Sequence, residues 1–204
     1  MARDSSATKA RLLDAAFAEF AAYGIAGARV DRIAEAAGAN KRLIYVYFGN
    51  KDQLFDAVME RALALGVEAV PFEAENLPGY AGRIFDHLVA HPDLMRLITW
   101  KHLERPGATD AEAQSYRAKT QAVAVAQRDG RIDPEYDPAD VLILTLALAQ
   151  AWFTIAGGMS PTGTGTPWPP QQLARHRAAV VDAVRRITAP RGDSAVGRSA
   201  SSQA

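Results

Sequence analysis

Apolar residues recur at spacings of three and four along most of this chain, and no stretch alternates apolar with polar residues as a half-buried strand does. The pattern predicts an all-α fold of about nine helices. Residues 7–23 place Leu13, Ala16, Phe17 and Phe20 on one face, with Gly24 as a stop. Residues 30–37 predict a short second helix with Ile33, Ala34 and Ala37 inward, and residues 41–48 a third. A fourth helix over 51–69 carries the stripe Leu54, Phe55, Val58, Ala62 and Leu65 and is ended by Pro71. The fifth covers 78–90. The sixth opens at Pro92 and carries Leu94, Leu97, Ile98 and Leu103. Thr109 with Glu112 forms a capping box that opens the seventh, which fades near Asp129-Gly130. The eighth follows Asp137-Pro138 and runs to Gly157-Gly158, and the ninth spans 171–188.

The junction of the second and third helices is the most specific feature. Ala34 is a small residue at a helix crossing, and Gly38 suits the left-handed conformation of a tight bend. Asn40 is placed to cap the third helix by accepting a backbone N–H. At about 100° per residue, Ile44 and Phe48 of that helix face a core. Arg42, Leu43 and Val46 spread over the opposite side, Tyr45 and Tyr47 lie on the flanks, and Lys41 sits at the tip. A face with one cation, apolar groups and phenols at its edges suits a major groove. Arg42 matches guanine edges, Val46 or Leu43 a thymine methyl, and the tyrosines phosphates. Asn50 with Gln53 reads as a second capping box, opening a helix at Lys51, where the first-turn N–H groups and the ammonium favour a phosphate. These residues predict a helix-turn-helix that reads DNA.

The stretches LLDAAFAEFAAYG and IAEAAGANKRLIYVYFGNKDQL resemble the tetracycline-repressor (TetR) family of bacterial transcription regulators over about residues 8–55. The Ile-Ala pair, the Ala-Gly turn, the Tyr-x-Tyr-Phe end and the lysine soon after carry the resemblance. It implies that Tyr45 and Lys51 touch phosphate and that Asn40, Lys41, Arg42 and Tyr47 lie at or near bases or backbone. Two positions depart from the family pattern. Ala28 and Arg29 stand where a Ser or Thr often precedes the second helix, so Arg29 is expected to replace a hydroxyl contact with an ionic one. Val46 is smaller and less polar than many family members carry.

Composition changes this picture little. With 204 residues, 49% apolar and 23% charged, the chain suits one or two globular domains. It has no cysteine, which removes disulfides and thiolate metal sites. Its start lacks an apolar secretory segment, so a cytoplasmic protein is expected. The net charge is zero, yet residues 1–55 hold eight cations against six acids. The apolar run from Val141 to Ala156 includes Thr145 and Gln150 and is short for a membrane span of about 20 residues. It reads as a deeply buried helix, and no membrane partner is expected.

The expected organisation is a DNA-binding domain over 1–50, a helical effector-binding and dimerisation domain over 51–188, and a disordered tail over 189–204. The Gly- and Pro-rich loop over 157–170 is expected to be mobile. Because the eighth helix is apolar all round, part of it needs cover from outside its own domain. The resemblance implies that it and the ninth helix, with Leu173, Val180, Val181, Val184 and Ile187 on one face, pair with a second copy. Two recognition helices on a two-fold axis then read a palindrome of double-stranded DNA. A small-molecule effector would draw on Phe85, Leu88, Met95, Ile98, Thr99, Trp100, Leu103, Tyr116, Gln150, Trp152 and Phe153. His87 and His91 are four apart, but no third ligand is evident, so neither metal nor cofactor is expected. No nucleophile motif, P-loop or dinucleotide-binding fingerprint is present. The sequence points to a ligand-responsive regulator, most simply a repressor. The rival reading is a helical small-molecule carrier or enzyme whose helix-turn-helix is vestigial.

Overall fold

The computed structural model describes residues 2–155 and 168–190, with side chains from Ser5 onward. Among these residues it is helical throughout: α1 Ala2–Gly27, α2 Val30–Ala36, α3 Lys41–Phe48, α4 Lys51–Ala69, α5 Leu77–Ala90, α6 Pro92–Glu104, α7 Asp110–Arg128, α8 Pro138–Ile155 and α9 Pro170–Thr188. A 3-10 turn, Ala74–Asn76, precedes α5 and had no counterpart in the sequence reading. The expected tail beyond residue 190 and residues 157–167 of the Gly- and Pro-rich loop lie outside the described residues.

The chain forms two compact units. One contains Met1–Pro71 with Phe85–Tyr116; the other contains Phe72–Ile84 and the described residues from Arg117 onward. The core of the first unit joins Leu12, Ala16 and Phe20 of α1, Ile33 and Ala34 of α2, Ile44 and Phe48 of α3, Leu54, Phe55 and Val58 of α4, and Leu97 of α6. Phe20 and Phe55 meet edge to face at 5.2 Å between ring centroids, a geometry worth about 0.5–1.5 kcal/mol beyond the area it buries. The helical stripes err at their ends. Leu65 of α4 and Leu103 of α6 fit the apolar spacing but are exposed: Leu65 lies past Met59, the last buried residue of α4, and Leu103 lies off the face that Trp100 and Glu104 turn to α1.

Gly24 is a bend within α1 rather than its stop. Its backbone at φ 71°, ψ 179° is non-helical, and helix resumes on the far side. That region is open essentially to glycine alone. A methyl group there would also lie 2.6 Å from Glu104 Oε1 and 2.9 Å from the Trp100 ring, both on α6. The bend frees a backbone N–H, and Glu104 takes it: Ala26 N–H donates to Glu104 Oε2 at 2.8 Å. Arg96 of α6 donates to the Ala22 carbonyl. Arg105, just past α6, pairs with Asp56 of α4 at 2.8 Å.

Capping of α2 also comes from a distance. Arg29, its N-cap residue, makes no side-chain cap bond. Glu19 of α1 accepts the Arg29 N–H at 2.8 Å and the Arg32 Nε–H at 2.7 Å. Burial pushes the Glu19 carboxyl up, but the bonds from Arg32 and the Arg29 N–H outweigh it and hold the group below its ordinary range.

In the second unit, Gln127 of α7 donates from Nε2 to the carbonyls of Asp133 and Tyr136, closing the connection to α8. The α8 helix is not deeply buried as its composition suggested. Val141, Leu142, Thr145 and Ala149 are inside, while Ile143 is 59% and Ile155 58% exposed. It is the one helix among the described residues long and apolar enough to cross a membrane by length and composition.

Two outcomes test this account. Gly24→Ala is expected to lower stability by about 1–3 kcal/mol in thermal melts, since the backbone strain and the crowding against α6 add. A carboxyl whose folded pKa is depressed stabilises above its unfolded pKa and loses that contribution as pH falls through the folded value. Glu19→Gln is therefore expected to cost roughly 1–2 kcal/mol at neutral pH and to flatten the loss of melting temperature on acidification.

Candidate nucleic-acid interface

The polar ends of α2, α3 and α4 fix the reading face. The chain leaves α2 through Gly38, whose φ of 57° makes the bend, and its N–H returns to the Glu35 carbonyl. Asn40 Oδ1 accepts the Arg42 N–H at 2.8 Å and starts α3. Asn50 Oδ1 accepts the Gln53 N–H at 2.8 Å and starts α4. This second cap is not the reciprocal box its residues suggested, since the Asn50 N–H bonds the Phe48 carbonyl.

With Ile44 and Phe48 inside, α3 turns Arg42, Tyr45 and Val46 outward, and Val46 is 64% exposed. Arg42 has no ion pair among the described residues, so its guanidinium is available to an external acceptor. Lys41 is also exposed but pairs with Asp31 of α2 at 2.8 Å, a bond that raises its pKa. Leu43 departs from the wheel and packs against the core. Tyr47 is half-buried: its ring lies edge-on to Phe48, and its hydroxyl is 3.2 Å from Ser5 Oγ in the first turns of α1.

The flanking residues divide. The Arg29 side chain is exposed, as an ionic contact needs, whereas Arg32 is occupied by Glu19 and stacks over Tyr23 at 4.2 Å. The Asn40 side chain is taken up as a cap. Lys51 Nζ donates to the carbonyls of Ala26 and Ala28, each at 3.3 Å, and no carboxylate among the described residues pairs with it. Its ammonium thus sits half-buried between the end of α1 and the start of α4. Ser5 was not singled out from the sequence. A serine near the start of a helix carries no signal that it meets a residue 42 positions away.

The effector candidates are divided between the units. Phe85, Leu88 and Met95 are buried in the first, Ile98 is half-buried there, and Trp100 stands against Gly24. Thr99 donates its hydroxyl to the Met95 carbonyl. Leu103 and Tyr116 are exposed. Gln150, Trp152 and Phe153 are half-buried in the second unit, where Trp152 stacks with Trp168 and His176 at 4.6 and 3.9 Å. His87 and His91 stack at 4.6 Å. Burial and then His91 push His87 below its ordinary pKa. No group of three or more potential metal ligands occurs among the described residues.

Residues 12–58 match the model for bacterial regulatory proteins of the tetR family, and residues 76–186 match the tetracyclin repressor-like C-terminal domain. The chain is 43% identical over 162 residues to the HTH-type transcriptional repressor SCO4008 of Streptomyces coelicolor, covering 78% of this chain and 84% of that one. It is 30% identical over 124 residues to the HTH-type transcriptional repressor NicS of Pseudomonas putida, covering 57% and 58%. Among solved structures it resembles the putative transcriptional regulator SCO4942 of Streptomyces coelicolor, with a TM-score of 0.77 at 39% identity over 89% of this chain and 98% of that one. An outward cation on a short, core-anchored helix and family matches at both ends of the chain agree: this protein belongs to the TetR family of bacterial transcriptional regulators.

Proposed function

We propose that the protein is a homodimeric repressor that holds a palindromic operator through α3 and releases it when a small molecule binds the helical region after α4. The observation that carries this reading is the pairing of opposite roles on α3: Ile44 and Phe48 fix it in the core while Arg42, Tyr45 and Val46 stand in solvent. Arg42 is assigned to base edges, Val46 to a thymine methyl, and Tyr45 and Tyr47 to phosphates. Lys41 and Arg29 add ionic contacts. Lys51 is assigned to a phosphate, held in place by its carbonyl partners. Asn40 serves as the cap that orients Arg42. In this reading residues 1–50 bind DNA, 51–188 sense and dimerise, and 189–204 form a tail.

The exposed side of α8 supports dimerisation. Ile143, Leu144 and Ile155 are too many large apolar groups on one helix to leave in water, and α9 is exposed at Ala174 and Ala178. The two α3 helices would then enter successive major grooves about one helical turn apart. Repression is favoured by the names of the relatives SCO4008 and NicS. The route from effector to reader runs through α6, whose Trp100 and Glu104 hold the α1 bend. A ligand that displaces α6 would shift that bend, and a coupling of about 1–3 kcal/mol changes operator affinity roughly 5- to 150-fold.

Gel shifts with the gene's own upstream DNA decide between this reading and a carrier or enzyme: a carrier gives no specific retardation. Arg42→Ala is expected to cost about 1–3 kcal/mol of operator affinity and to relax preference at the base it meets, without lowering the melting temperature. Lys51→Ala is expected to weaken all sequences alike and to lower the salt slope by about one. Ile143→Glu is expected to give a monomer by sedimentation and to abolish specific retardation at concentrations where the parent protein binds fully.

A further inference from the structure

We propose that Lys119 is an anion anchor, and that the small molecule this regulator senses is an organic monocarboxylate with an aromatic or otherwise apolar body. The inference deepens the effector half of the proposed function and rests on it for its regulatory consequence, though not for binding itself.

The chain has five lysines, Lys9, Lys41, Lys51, Lys101 and Lys119. Lys9 is exposed and lies over the Phe48 ring, and Lys41 is exposed and paired with Asp31. Lys101 is buried and bonded to Glu112 at 2.8 Å. That pair obeys the rule that a charge removed from water carries its counter-ion. Lys119, on α7, is partly withdrawn from water with no such counter-ion among the described residues. It is half-buried, and among the described residues its only bond is to the Tyr80 hydroxyl of α5, at 3.2 Å. No carboxylate among the described residues pairs with it. Its surroundings are aromatic: the ammonium is 5.8 Å from the Tyr80 ring centroid and 5.9 Å from that of Phe72. Those two rings stand edge to face at 4.9 Å, and Tyr80 is buried. Burial alone pushes the Lys119 pKa down.

The Tyr80 hydroxyl bond and cation–π attraction to the Phe72 ring offset part of the lost hydration but supply no charge. A methionine would fill the same volume without that cost. Lysine at this position is explained when its counter-ion arrives with a ligand. Lys51 offers a parallel in the same chain: it too is half-buried and meets no carboxylate, and its assigned counter-ion is a phosphate of DNA. At Lys119 one ammonium suits a single negative charge, and the Phe72–Tyr80 pair suits an apolar body beside it. The carboxylate would accept from Lys119 Nζ while the ring or chain of the ligand covers the aromatic edge.

Thermal melts of the full chain test this with benzoate, 1-naphthoate and octanoate at millimolar concentration, each against its neutral amide. At least one acid is expected to raise the melting temperature and to bind roughly tenfold or more tightly than its amide. That preference is expected to vanish in Lys119→Met and to survive in Lys119→Arg. Lys119→Met itself is expected to melt no lower than the parent; if it fails to fold, Lys119→Gln takes its place. Acids and amides binding alike, none of the acids binding, or a preference for the acid that persists without Lys119 would each overturn the proposal. Parallel operator gel shifts separate the two readings. An acid that binds through Lys119 yet leaves the operator bound upholds the site and overturns the ligand switch. Release by a neutral compound, with no acid preferred, overturns the anion anchor and leaves the switch standing.

Discussion

The exposed face of α3 depends on two side chains that point the other way. The α3 helix has eight residues, far too few to persist alone in water. Ile44 and Phe48 give it a position by entering a core already closed by Phe20, Ile33, Leu54 and Phe55. Once they are seated, the helical repeat leaves no choice about where Arg42 and Val46 point. The polar ends work to the same effect. Glu19 fixes the start of α2, Asn40 that of α3 and Asn50 that of α4, so the short helices hold their angles as well as their places. Pre-set angles matter because side chains already held in place lose less freedom when they bind a partner.

Charge acts here through placement. The chain is neutral overall, and several cations of the reading region are occupied: Arg32 by Glu19, Lys41 by Asp31, and Lys51 by two carbonyls. Arg42 is exposed and outside these pairs. A surface of this kind relies less on a broad positive field than on a few groups delivered at fixed points. Exposed pairs such as Lys41–Asp31 are individually weak, so separating Lys41 from Asp31 costs little.

The local grammar of the sequence was legible. Caps, the Gly38 bend and the Ile44/Phe48 spacing involve residues within four positions of each other, and propensity and periodicity report on that scale. What escaped depends on distant neighbours. Gly24 looked like a stop because glycine ends helices, yet the chain continues past it, with Trp100 and Glu104 of α6 against the bend. With no hydroxyl before it, α2 has no cap from its own start, and Glu19 supplies the acceptor from another helix. Leu43 read as outward on an isolated wheel, but neighbouring elements draw it to the core. Leu65 and Leu103 obeyed the apolar period and ended in solvent. The effector candidates were chosen by residue type and helical position, and periodicity could not tell that Phe85 and Leu88 are buried while Leu103 and Tyr116 are exposed. Lys119 was invisible for the opposite reason: a lysine on a polar helix announces nothing until its surroundings are known.

Leu97 lies in the same core as α2 and α3, although it comes from α6, about a quarter of the chain later. A chimaera made by grafting the first 50 residues onto a foreign sensor would therefore inherit an unfinished interior, lacking Leu54, Phe55 and Val58 as well as Leu97. It would also lack the carboxylate that satisfies the Ala26 N–H. A cut beyond α6 does not solve this, because Phe72–Ile84 would leave with the first unit although it packs with the described residues from Arg117 onward, so no single splice keeps both units whole.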